Sequence, residues 1–191
     1  MTKLVSPNKY YIPSNQQIGE LIDYLEKKEL INTKWKWDEI FGIQIKWNPY
    51  PKPKCENLKF KTWVDYKKKI KQLIENNNDL TNISIRFETS SKFNQIFSRN
   101  MEIEDPNPLN SIFIKIDDPN RGYGDGKKSE AGVAKFSIEI ELGVIYTNYF
   151  DEENFFYNIL RDKDFNRILK DFEKVLNTSL IYLFEEYEDD D

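Results

Sequence analysis

The run from Ala134 to Leu142 constrains this chain more than any other stretch. Ala134, Phe136, Ile138, Ile140 and Leu142 alternate with Lys135, Ser137, Glu139 and Glu141. Successive side chains of a strand point to opposite faces, so this alternation builds a sheet with one apolar and one wet face. Parallel sheets are covered on both faces, whereas antiparallel ones tolerate water on one. The expected sheet is therefore mostly antiparallel, with helices on a single side.

The other periodicities fit that frame. Ser14-Asn15-Gln16-Gln17 has the form of a capping box, and Ile18, Leu21, Ile22 and Leu25 follow at helical spacing, predicting a helix over about 15–30. Thr33, Trp35 and Trp37 alternate, as do Phe41, Ile43, Ile45 and Trp47, and both runs read as strands. Three prolines between Asn48 and Pro53 rule out regular structure there, and Cys55 just beyond reads as a loop thiol. Thr62 and Asp65 open a second helix carried by Trp63, Tyr66, Ile70, Leu73 and Ile74, which Asn76 to Asp79 ends. Strands are expected at 83–87 and 112–116, a short helix at 91–100, and a long polar loop at 117–130. From residue 151 the pattern turns helical, and one apolar stripe runs from Phe165 to Tyr187. The expectation is a single α+β domain over 1–184, with about five strands and a long C-terminal helix. An acidic, disordered tail over 185–191 follows.

Residue usage removes several chemistries. With no His and one Cys among 191 residues, Ser-His-Asp and Cys-His nucleophile systems, His-based zinc sites and internal disulfides are excluded. No window reaches the length of a membrane-spanning helix, and the first residues lack a signal peptide's apolar stretch. A cytoplasmic protein without cofactors is expected.

Charge is placed unevenly. The net −5 is made from a basic middle and an acidic end: residues 46–71 hold nine Lys against two acids, and residues 151–191 hold 13 acids against five bases. Such asymmetry bears on partners rather than on fold.

Each candidate site has a plainer rival. The Gly-rich stretch from Gly122 to Ser129 misses the phosphate-loop spacing and leads into a strand instead of a helix. Its acids with Asp117 and Asp118 miss the calcium-loop spacing, since Tyr123 stands where Gly is required. Glu139 and Glu141 share one strand face with Lys135, a set that magnesium-dependent nucleases or phosphotransfer enzymes use; a solvated sheet face accounts for the same residues and is preferred. Lys52, Lys54, Lys59, Lys61, Lys67, Lys68 and Lys71 interleave with Trp47 and Tyr50, as in platforms for single-stranded nucleic acid. Against that, Trp63 and Tyr66 lie on a helix's apolar stripe and belong to the core, and the segment has no Arg for bidentate contacts. The same patch would also meet the acidic C-terminal segment.

The leading expectation is a non-catalytic protein-binding module, most concretely a bacterial immunity or antitoxin-type inhibitor of a basic toxin such as a nuclease. Glu139, Glu141, Glu185, Glu186, Glu188 and Asp189 would supply its acidic surface. A nucleic-acid-binding accessory protein using segment 46–71 is the first alternative, and a magnesium-dependent enzyme the second.

Overall fold

The computed structural model of the chain describes residues 2–8, 10–34, 41–47, 54–60, 62–76, 80–101, 111–117, 136–141 and 158–184. Seven strands run through them: β1 (Thr2–Val5), β2 (Phe41–Trp47), β3 (Lys54–Phe60), β4 (Leu80–Glu88), β5 (Ser111–Asp117), β6 (Phe136–Glu141) and β7 (Ile181–Phe184). They form one sheet in the order β3-β2-β4-β5-β6-β1-β7. Every pairing is antiparallel. Four longer helices accompany them, α1 (Asn15–Lys27), α2 (Trp63–Asn76), α3 (Ser91–Met101) and α4 (Lys163–Leu176), with a single helical turn over 158–161 just before the last. Among the described residues, no helix is long and apolar enough to cross a membrane.

The register lines up one apolar face. Ile138 stands opposite Ile114 and Leu4, Leu4 opposite Tyr182, and Ile114 opposite Ile85. These residues join Phe87, Ile112, Phe136 and Ile140 in a single core with the buried stripes of all four helices. Rings supply much of the contact. Tyr66 meets Phe87 edge-on at 5.9 Å, Phe97 meets Phe165 at 5.9 Å, and Phe165 meets Tyr182 at 6.0 Å. Edge-to-face pairs of this kind add to what area burial alone provides. Trp63 and Tyr66 are core residues, as their helical spacing predicts.

Local signals set the helix ends. Ser14 Oγ accepts from Gln17 N at 3.2 Å while Gln17 Oε1 accepts from Ser14 N at 2.8 Å, so the expected capping box opens α1. Thr62 Oγ1 accepts from Asp65 N at 3.1 Å to start α2. Asp162 caps α4, accepting from Asp164 N and Phe165 N at 2.9 and 3.1 Å. Arg99 and Asn100 of α3 reach the same carboxylate and tie the two helices together.

Three departures from the sequence reading stand out. The final helix does not continue to Tyr187: it stops at Leu176, Asn177 takes a left-handed φ of 52°, and the chain returns as β7. Leu180 and Tyr182 then face the core while Ile181 and Leu183 are exposed, which is strand alternation, not a helical stripe. Cys55 lies on β3 and not in a loop. Among the expected strands, Thr33 and Lys34 are in no strand, and residues 35–37 lie outside the described residues. The 117–130 loop beyond Asp117 and the 185–191 tail also lie outside them.

Candidate functional site

The end of β4 is where the fold gathers unused polar chemistry. Glu88 is its last residue, and the chain then runs through Thr89 and Ser90 into α3. The segment after α1 is stitched to this connection. Asn32 N donates to Glu88 O at 2.9 Å, Ser90 N donates to Leu30 O at 3.0 Å, and Ile31 forms an antiparallel bridge with Thr89. Ser90 Oγ donates to Glu29 O at 2.5 Å and accepts from Phe93 N at 3.2 Å, so one hydroxyl both caps α3 and fixes the turn that follows α1. That turn needs fixing, since Glu29 has a φ of 56°, in the left-handed region. Lys92 Nζ donates to Lys28 O at 2.9 Å, and the Thr89 hydroxyl donates to buried Asn94.

A groove of about 480 Å³ opens between these segments, lined by Glu26, Glu29, Asn32, Thr33, Lys34, Glu88, Ser91 and Lys92 among others. Glu88 is its deepest charge. Only 7 % of the residue is exposed, and among the described residues its carboxyl has neither a hydrogen bond nor an ion pair. Burial pushes Glu88 up to about 7, and Arg86 on the same strand pulls only weakly the other way. Arg86 is engaged elsewhere: its guanidinium donates to Ser111 Oγ at 3.1 and 3.0 Å and lies over the Phe113 ring. Exposed Glu29 and Lys34 also have no side-chain partner among the described residues.

The residues singled out from the sequence fall elsewhere. Glu139 is not on a wet face: it is 3 % exposed and lies between the ammonium groups of Lys3 (3.6 Å) and Lys115, with Ser137 Oγ at 3.2 Å. The reason is the register, which sets Lys3 directly opposite Glu139 and places Lys115 on its diagonal across β5, opposite Ser137 and two residues from the facing Phe113. Two cations on flanking strands turn the expected surface acid into the centre of a buried ion cluster. The side chain of Glu141, and Lys135 with all of 185–191, including Glu185, Glu186, Glu188 and Asp189, lie outside the described residues. Among the described residues, no three acids or Cys gather to hold a metal ion.

The basic segment is partly neutralised from within. Lys67 bridges Asp23 (2.7 Å) and Glu26 of α1, and Lys71 lies 3.8 Å from Asp23. Burial works against the Lys67 charge, yet these two carboxylates hold it above its ordinary range. Trp63 Nε1 donates to Glu26 at 2.8 Å, so this acid serves both the core edge and the patch. Lys68 is exposed. Lys54 and Lys59 are placed on β3 and Trp47 on β2, while Lys52, Tyr50 and Lys61 lie outside the described residues. Among the described residues, the acidic partners of Lys67 and Lys71 are thus on α1; residues 151–157 and 185–191 of the C-terminal segment lie outside them.

Glu88 carried no signal in the sequence beyond its place, an acid ending an Ile83-Ile85-Phe87 strand just before a Thr-Ser-Ser helix start. Its burial comes from the chain after α1 folding back onto β4, a contact made across 56 residues between Asn32 and Glu88. No family model, no curated protein and no solved structure matches this chain, so the groove is read from its own chemistry.

Proposed function

We propose that this chain is a non-catalytic protein-binding module, most concretely a bacterial immunity or antitoxin-type inhibitor that captures a basic toxin such as a nuclease. The observation that carries this reading is the polar groove holding two carboxyls unpaired among the described residues, Glu88 and Glu29, on a chain of net charge −5. The C-terminal segment 151–191, with 13 acids against five bases, supplies long-range attraction for a cationic surface. Glu139 takes no part in that steering, because Lys3 and Lys115 already neutralise it. The same two lysines count against a magnesium site at Glu139, since a cation there would have to displace both. Lys67 and Lys71, turned towards Asp23 and Glu26, offer a nucleic acid less charge than their number suggests.

The test screens the proteins encoded beside this chain for a basic one that binds it and follows that association by stopped flow. The rate constant should fall steeply with salt, and removing 185–191, which carries six acids, should slow association at low ionic strength by about tenfold. A tail-deleted chain that associates at the full rate would defeat the steering role. A salt-dependent shift of single-stranded DNA, with no binding to the basic protein, would instead favour the Lys segment.

A further inference from the structure

We infer that the groove at the end of β4 is the seat for one guanidinium or ammonium group, an Arg or Lys side chain of the protein partner, with Glu88 as its buried anchor. The inference rests on the protein-binding reading above and names what that partner inserts. A residue buried to 7 % exposure whose carboxyl reaches solvent without a hydrogen bond or ion pair among the described residues is an unusual thing for a fold to keep. It lines an open groove rather than a sealed void, so a donor from outside can reach it. Carboxyls step from the surface inwards along the walls: Glu29 is exposed, Glu26 half-buried and Glu88 buried. Arg suits the site best, because its fork of donors can engage both Glu88 oxygens at once.

The charged groups around Glu88 favour a cation over an anion. Arg86 stands on its own strand, Glu26 and Glu29 come from α1 and the turn after it, Lys34 from the following segment and Lys92 from α3. Arg86 is held by Ser111, and the Lys92 ammonium already donates to Lys28 O. Lys34 is the one lining cation without a partner among the described residues, against the unpaired acids Glu29 and Glu88.

The seat also makes binding respond to pH. Glu88, pushed up to about 7 by burial, must shed its proton to hold a cation. For a single group of that pKa, affinity should rise about tenfold from about pH 6 to about pH 8 and level off above.

The test titrates the full chain with capped arginine amide and follows backbone amides by NMR. Saturable shifts are expected at Asn32 to Lys34 and Thr89 to Asn94, tightening about tenfold over that pH range. Glu88→Gln should weaken binding at least about tenfold at the upper pH and abolish the pH dependence. Ser91→Arg, at an exposed position on the groove wall, supplies a competing cation and should also remove binding while the protein stays folded. Absence of saturable shifts at roughly 100 mM probe, or shifts unchanged in Glu88→Gln, would overturn the seat. So would inorganic phosphate binding there with the opposite pH slope, or spermidine binding far more tightly than the arginine probe. The probe needs no protein partner, which separates the two ideas. A toxin complex indifferent to Glu88→Gln refutes the seat alone, and an arginine seat with no basic partner refutes the immunity reading alone.

Discussion

Glu88 should leave a signature in the stability of the unliganded protein. Its carboxyl titrates near 4.5 when unburied and at about 7 in the fold, because burial disfavours its charge. The folded chain therefore holds this proton more tightly than the unfolded chain. Stability from that preference is fully present below the unfolded pKa and is lost as pH rises through 7. At about 1.4 kcal/mol per pKa unit the full difference is about 3 kcal/mol. The carboxyl opens onto an accessible groove that screens its charge, so about 1–2 kcal/mol is the expected loss between about pH 5 and about pH 8. The chain contains no His, so the usual titration in that window is absent. Urea unfolding followed by Trp fluorescence, on the wild type and Glu88→Gln, isolates the effect. The variant is neutral throughout, so its stability relative to wild type should climb by 1–2 kcal/mol, about the amount just argued, as pH rises. A difference that stays constant with pH, or falls, would show that Glu88 is ionised at neutral pH and that the burial argument is wrong.

Two further perturbations probe the scaffold. Asp162→Ala removes the cap of α4 together with the Arg99 and Asn100 contacts and should cost about 2–3 kcal/mol by urea unfolding, whereas Asp162→Asn keeps a cap acceptor and should cost about 1 kcal/mol. Burial opposes the Asp162 charge, but Arg99, Asn100 and Phe165 N hold its carboxyl far below the usual range. Its contribution is thus present above the ordinary carboxylate pKa and lost as pH falls through the folded one. Phe165→Ala, which strips a ring packed against Phe97 and Tyr182, should lower stability by about 3–5 kcal/mol. Val64→Ala, at a side chain 73 % exposed, should change it by less than about 0.5 kcal/mol.

What could be read in the sequence was whatever short-range pattern determines. The Ser14 capping box, the stripe Ile18-Leu21-Ile22-Leu25 and the alternation of β4, β5 and β6 each express a period within a few residues, and each forms as expected. β1, β3 and β7 express no such period. β1 is four residues long and exists because β6 and β7 pair with it on both sides. β3 carries two Lys, a Glu and an Asn among seven residues, which hides its alternation. Ile181-Tyr182-Leu183-Phe184 is apolar at every position, so it satisfies a helical stripe as well as a strand. One left-handed residue, Asn177, breaks that tie, and its side chain is among the few that tolerate the conformation.

The two buried acids of the sheet show why site and scaffold looked alike in one dimension. Glu139 and Glu88 each end or sit within an alternating run, and parity alone assigns both to the polar face. Pairing separates them. Glu139 receives Lys3 from β1 and Lys115 from β5, so its burial is balanced by opposite charge. Glu88 has a cation much nearer in sequence, since Arg86 is two residues away on the same face. Opposite Glu88, however, the register places Ser111, and the Arg86 guanidinium binds that hydroxyl and stacks on Phe113. An acid whose nearest cation in sequence is committed elsewhere, and which lines an open groove, is left to be neutralised by a proton or by something that arrives. The proton serves the free protein, and a partner's cationic side chain is the group that would displace it.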